Sequence, residues 1–154
     1  MSGPMFPLPE PMRLALEQAK AAAQRGEVPV GAVLTAPDGT VLAVASNRTR
    51  EEKDPTAHAE MLAIREACRR LQSERLVGCD LYVTLEPCPM CAQAISFARI
   101  RRLYFAAEDP KMGGVYHGAR IFSAPSCHHV PEIYEGIGAE EASALLRAFF
   151  AERR

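Results

Sequence analysis

The chain has 154 residues, 48% of them hydrophobic and 24% charged, with a formal net charge of −1. That suffices for one domain with a proper core, and the balanced charge excludes a general polyanion binder while leaving room for a local basic patch. No stretch offers the roughly 20 continuous apolar residues of a membrane helix, and five cysteines, an odd set that includes one C-x-x-C pair, point to reduced thiols and a cytoplasmic setting rather than a secreted disulfide framework.

Residues 1–9 lack the basic-then-apolar pattern of a secretory signal and read as a short disordered lead to a single domain over 10–154. Met12, Leu16, Ala19 and Ala23 recur at helical spacing and Gly26 stands where a terminating glycine belongs, so about 10–25 is expected to be a helix. Val30 to Ala36 and Val41 to Ala45 are β-rich runs around the turn Pro37-Asp38-Gly39-Thr40. The polar stretch from Asn47 to Pro55 is a loop. A helix is expected from near Thr56, with Met61, Ile64, Cys68 and Leu71 on its apolar stripe.

Asp80 to Leu85 reads as a buried strand. Cys91, Ala94, Ile95 and Ala98 line a face of the next helix, and Arg102 to Ala107 form a further strand. Residues 108–130 look irregular, Ile133-Tyr134 a short edge strand, and about 139–152 a helix presenting Ala142, Leu145, Leu146, Phe149 and Phe150. This order describes an α/β domain of three layers with a mixed sheet.

Two strings carry the chemistry: Thr56-Ala57-His58-Ala59-Glu60 and Pro87-Cys88-Pro89-Met90-Cys91. One His and two Cys hold a zinc ion and leave its fourth position open to water, the arrangement of a catalytic rather than a structural site. Cys88 and Cys91 are spaced to lie on one side of a first helical turn. Pro87 and Pro89 favour that start, and the helix dipole there favours the thiolate that a metal needs. His58 falls at a second helix start. Two thiolates and a neutral imidazole cancel the ion's charge, so the water needs a base. Glu60, a carboxylate off the metal, can take that proton, pass it to a substrate ring nitrogen and protonate the leaving amine. Cys68 reads as core, Cys79 and Cys127 as free thiols, and His128-His129 as a solvated pair. His117 stays outside a ligand set that three residues complete.

An H-x-E followed by P-C-x-x-C is the signature of zinc-dependent nucleobase deaminases. Further strings narrow it: Glu27-Val28-Pro29-Val30-Gly31-Ala32-Val33, Asn47-Arg48, Asp54-Pro55-Thr56, Leu81-Tyr82-Val83-Thr84-Leu85-Glu86, Ser96-Phe97-Ala98-Arg99-Ile100, Asp109-Pro110-Lys111, Phe149-Phe150 and Arg153-Arg154. On these the chain resembles the bacterial tRNA-specific adenosine deaminases of the cytidine-deaminase-like superfamily. The resemblance implies a three-layer α/β/α fold around a central five-stranded mixed sheet, one Zn2+ per chain, no organic cofactor and a homodimer. It implies conversion of adenosine to inosine at the wobble position of a tRNA anticodon stem-loop, an arginine tRNA foremost.

It also implies that Asn47 hydrogen-bonds the flipped base, that Val28, Ala57 and Leu85 line its pocket, that Asp109 meets flanking nucleotides, and that Lys111, Phe149, Phe150 and Arg153 lie along RNA. Arg48, Arg50, Lys53 and Arg154 are further cations for phosphates. Tyr116-His117 departs from the family pattern, which has small residues there. The competing reading is a deaminase of a free nucleobase or nucleoside, guanine or cytosine, with the same zinc chemistry. A structural zinc or RNA-binding module is disfavoured by Glu60 and by the three-ligand set.

Overall fold

The computed structural model describes residues 7–153. Its elements run α1 (Glu10–Gln24), β1 (Gly31–Thr35), β2 (Val41–Ser46), α2 (Ala59–Leu71), β3 (Asp80–Leu85), α3 (Pro89–Phe97), β4 (Arg102–Ala107), a single 3-10 turn (Ile121–Ser123), β5 (Glu132–Glu135) and α4 (Ala139–Ala151). The strands form one mixed sheet in the order β2-β1-β3-β4-β5. β1 is antiparallel to β2 and β3, while β3, β4 and β5 are parallel.

Strand side chains alternate between faces, and each face has its own core. Ala32, Leu34, Leu81, Val83, Leu103 and Phe105 pack under α2 and α3, where Ala59, Ala63, Ile64, Ala67, Ala92 and Ile95 meet them. Val33, Tyr82, Tyr104 and Ala106 face Met12, Ala15 and Leu16 of α1 and Ala142 of α4. Three layers result, as the sequence pattern predicts.

The helix α1 ends as expected. Gly26 adopts φ +81°, a conformation glycine takes without strain, and the Glu27 amide bonds back to Ala22 O at 2.9 Å, closing a Schellman turn.

Three expectations need correction. Leu8, placed in a disordered lead, packs partly buried against the α1 core, so any lead ends before it; Met1 to Phe6 lie outside the described residues. The buried stripe of α2 is Ala59, Glu60, Ala63, Ile64 and Ala67; of the expected stripe Ile64 is buried and Cys68 packs partly buried against the same core, while Met61 and Leu71 do not belong to it. Alanines let the helix approach the sheet closely and turn its larger side chains outward, and Leu71 is 43% exposed. His129 is not a solvated pair with His128: its Nε2 donates to Ile100 O at 2.6 Å.

Candidate active site

Topology gathers the expected site residues. Because β1 runs against its neighbours, its N-terminal end lies beside the C-terminal ends of β2 and β3. Val28 precedes β1, Asn47 follows β2, Leu85 ends β3 and Asp109 follows β4. The N-termini of α2 and α3 follow the loops at this same end. A crevice outside the carboxyl ends of strands is where open α/β sheets bind ligands.

The ligand turns are local structures. Asp54 Oδ1 accepts the Thr56 amide at 2.8 Å and its hydroxyl at 2.7 Å, an Asx-turn that delivers His58 as the N-cap of α2. These bonds hold the Asp54 carboxyl below its ordinary range. Cys88 is the N-cap of α3, with Pro89 at the first helical position. Cys91 then falls in the first turn.

His58, Cys88 and Cys91 bring their donor atoms within 4.8 Å of one another, the single such group among the described residues. His58 Nδ1 lies 3.6 Å from Cys88 Sγ and 3.5 Å from Cys91 Sγ. With Zn–S about 2.3 Å and Zn–N about 2.0 Å, the N···S edge of a tetrahedral site is about 3.5 Å. The donor set therefore fits zinc in chemistry and in spacing. The Cys91 thiol, against opposing burial and with help from the His58 ring, holds the Cys88 thiol down at about 4. Cys88 and burial push Cys91 upward.

Glu60 stands outside this group, one residue inside α2, and is 4% exposed. Burial pushes its carboxyl up to about 7, against its own backbone amide and His58. A carboxyl balanced near neutral pH can both accept and return a proton.

Asn47 and Asp109, expected to meet substrate, sit on two loops, each tied down by a buried glutamate to which the sequence assigns no role. Glu27, 2% exposed, accepts the Arg50 and Glu51 amides at 3.2 and 2.8 Å. Arg25 donates to Ser46 Oγ at 2.7 Å and to Asn47 O at 3.2 Å, and the Arg48 amide donates to Ala57 O at 3.0 Å. Asn47 and Ala57 are thereby held beside each other, both buried, with Val28 and Leu85 partly buried against the α2–α3 core.

Glu86, also 2% exposed, gathers the 109–117 segment. Burial opposes its charge, yet the Asp109 amide, the His117 ring and the Tyr116 and Val115 amides keep its carboxyl below the usual range. Asp109 Oδ1 is occupied in its own turn, accepting the Lys111 and Met112 amides at 3.3 and 3.0 Å. Tyr116 lays its edge on Phe105, centroids 5.7 Å apart. The sequence signals were Glu27 and Glu86 themselves, acidic residues inside apolar runs.

At the C-terminus, Phe149, expected to lie along RNA, is instead buried, with the Arg153 guanidinium 3.6 Å above its ring. Phe150 is 47% exposed and remains open to a partner. The same guanidinium lies 3.9 Å from where a Cβ on Gly26 would stand, so the end of α4 adjoins the turn leading to Val28. Lys111 is exposed; Arg154 lies outside the described residues.

Comparison with known proteins agrees with this geometry. Residues 8–107 match the cytidine and deoxycytidylate deaminase zinc-binding region. The chain is 59% identical over 143 residues to the tRNA-specific adenosine deaminase of Agrobacterium fabrum, covering 93% of each chain. It is 49% identical to that of Aquifex aeolicus, again over 93% of each. A structure from studies of A-to-I editing at the wobble position of transfer RNA superposes with a TM-score of 0.86 at 59% identity, covering 88% of this chain and 98% of that one. A guanine deaminase from Bacillus subtilis is more distant, with a TM-score of 0.63 at 32% identity over 93% of this chain and 91% of that one.

Proposed function

The chain belongs to the tRNA-specific adenosine deaminase family, and from that premise we propose that it hydrolyses adenosine to inosine at the wobble position of a tRNA anticodon, with an arginine tRNA as substrate. The observation that carries this is the three-donor cluster with a buried, non-ligating carboxyl beside it. His58, Cys88 and Cys91 would hold one zinc per chain. When bound, zinc supplies the Lewis acidity that makes water a nucleophile near neutral pH.

Glu60 takes the proton that water gives up as its oxygen bonds to C6 of adenine. It delivers that proton to the ring nitrogen, then takes the second proton from the hydroxyl now on C6 and hands it to the amine, so the C–N bond breaks, the carbonyl of inosine forms and ammonia leaves. Asn47 hydrogen-bonds the extruded base, and Val28, Ala57 and Leu85 form its apolar slot. A base stacked in a loop is out of reach of these groups, so the nucleotide must be splayed out. Asp109 meets flanking nucleotides, and Lys111, Phe150 and Arg153 follow the RNA, with Phe149 as the ring that seats Arg153.

A homodimer completes the proposal, with the anticodon loop bound across its boundary. Phe97 on α3 is 68% exposed and Leu71 on the adjacent α2 is 43% exposed, apolar surface that a second copy would cover. No helix among the described residues is long and apolar enough to cross a membrane, and the proposed setting is the cytoplasm, where tRNA is found.

The test is incubation with bulk tRNA, nuclease digestion and quantification of inosine, beside a panel of free bases and nucleosides. Inosine in tRNA is expected. Turnover of guanine or cytosine with no inosine in tRNA would restore the free-base reading, which relatives such as that of Bacillus subtilis, a tRNA-specific adenosine deaminase at 44% identity, do not favour.

A further inference from the structure

The chemistry above leaves Glu86 without a task. Its carboxylate is fully buried, and five N–H groups converge on it. Oε1 accepts the Asp109 amide at 3.1 Å and the His117 ring Nδ1 at 2.8 Å. Oε2 accepts the consecutive amides of Val115, Tyr116 and His117 at 3.2, 3.0 and 3.2 Å. Successive backbone amides turned to one point make an anion-binding nest; here the anion is a side chain of the same molecule. All five donors belong to one segment, 109–117, which contains no helix or strand.

That segment is fastened a second time. The Gly114 amide donates to Pro87 O at 2.7 Å. A Cβ on Gly114 would stand 2.5 Å from Pro89 N and 2.8 Å from the Cys88 carbonyl carbon, and one on Gly113 would collide with the Glu86 carboxylate. Backbone thus packs on backbone at the ligand turn, which only glycine permits. Asp109 and Lys111 lie within this segment, and Cys88 lies two residues beyond Glu86.

We infer that Glu86 is a positioning residue for RNA, gripping the 109–117 segment so that Asp109 and Lys111 are presented in fixed register with the metal-ligand turn. This rests on the tRNA reading above. Packing alone would be served by an apolar residue; five inward amide and ring donors require an acceptor. In Glu86→Gln one oxygen becomes an NH2 that must face either the Asp109 amide or the three-amide nest, donor against donor. His117→Ala removes one donor and leaves the nest intact.

The experiment uses zinc-loaded full-length protein and two readouts. Hydrogen exchange of peptides spanning 109–117 should quicken by tenfold or more, on the order of one lost charge-assisted bond, in Glu86→Gln and by less in His117→Ala, with α2 unchanged. For an anticodon stem-loop, KM should rise about tenfold while kcat changes by under about threefold, because these contacts are made alike in ground and transition states.

A merely structural role would lower the active fraction, reducing kcat at constant KM. That result, or unaltered exchange in both variants, overturns the inference. Should Glu86→Gln not fold, exchange in His117→Ala decides. Should the wild type form no inosine in RNA, the substrate reading falls, and the exchange data still decide whether Glu86 grips the segment.

Discussion

The turns bearing His58 and Cys88 and the loops bearing Asn47 and Asp109 meet at one end of the sheet, and they are built by different means. His58 and Cys88 are helix N-caps placed by neighbouring residues: an Asx-turn at Asp54–Thr56 for one and Pro89 at the first helical position for the other. The loops bearing Asn47 and Asp109 have short turns of their own, Asp109 Oδ1 accepting the Lys111 and Met112 amides, but they also depend on a distant anchor. Each takes its shape from a buried glutamate more than twenty positions away in the chain, Glu27 for Arg50 and Glu51, Glu86 for 109–117. On the proposed reading, the metal-binding turns rest mainly on short-range structure, and the substrate-binding loops on long-range polar clamps as well. Variants on the two sides should therefore fail differently.

The largest effect is expected at Glu60, on the chemical side. Glu60→Gln should retain zinc and fold and lose about 10²–10⁴-fold in kcat, the usual contribution of a general acid–base group. Metal analysis beside stem-loop kinetics checks it. A variant with near wild-type kcat would remove Glu60 from the mechanism, and one that loses zinc would make it part of the metal's support.

The same contrast explains what the sequence made legible. N-caps, proline positions and C-x-x-C spacing are local patterns, so the His58-Cys88-Cys91 cluster and the helix starts could be read directly. Strands β3 and β4 could be read from their apolar runs, with bounds that match residue for residue. Glu27 and Glu86 could be quoted but not understood, because their partners are backbone amides, which any residue supplies and no sequence marks. The α2 stripe differs from the pattern of large apolar residues because the small side chains of Ala63 and Ala67 are what pack into the core. Leu71, like Phe97 on α3, is left exposed on the surface proposed for a second copy.

Glu27 tests the specificity side. Glu27→Ala leaves the Arg50 and Glu51 amides without their carboxylate acceptor and should cost about 2 kcal/mol of folding stability, read from urea unfolding. It should also raise KM for the stem-loop, since Asn47 rides on the loosened loop. If kcat fell and KM stayed constant, the division between chemistry and clamp would be wrong at this position.

Arg153→Ala should have a smaller effect, on RNA binding. Its guanidinium covers Phe149, and losing that contact costs about 0.5–1 kcal/mol at an exposed site. If Arg153 also meets a phosphate, the slope of log KM against log salt should flatten by about one unit. An unchanged slope would confine Arg153 to seating the helix end.

The smallest effect is expected for Cys127→Ser. Cys127 is a thiol outside the ligand cluster, and it lies on a loop fastened to α3 by long-range contacts like those of the other two loops. Its Sγ donates to His129 O at 3.1 Å and lies 3.4 Å from Ser96 Oγ. A serine hydroxyl can make the same donation, and the Ser96 and His129 bonds to backbone carbonyls remain. Stability should change by less than about 0.5 kcal/mol, with kcat, KM and zinc content kept. Loss of zinc in this variant would bring Cys127 into the ligand set, and the rule that local turns alone hold the metal would fail.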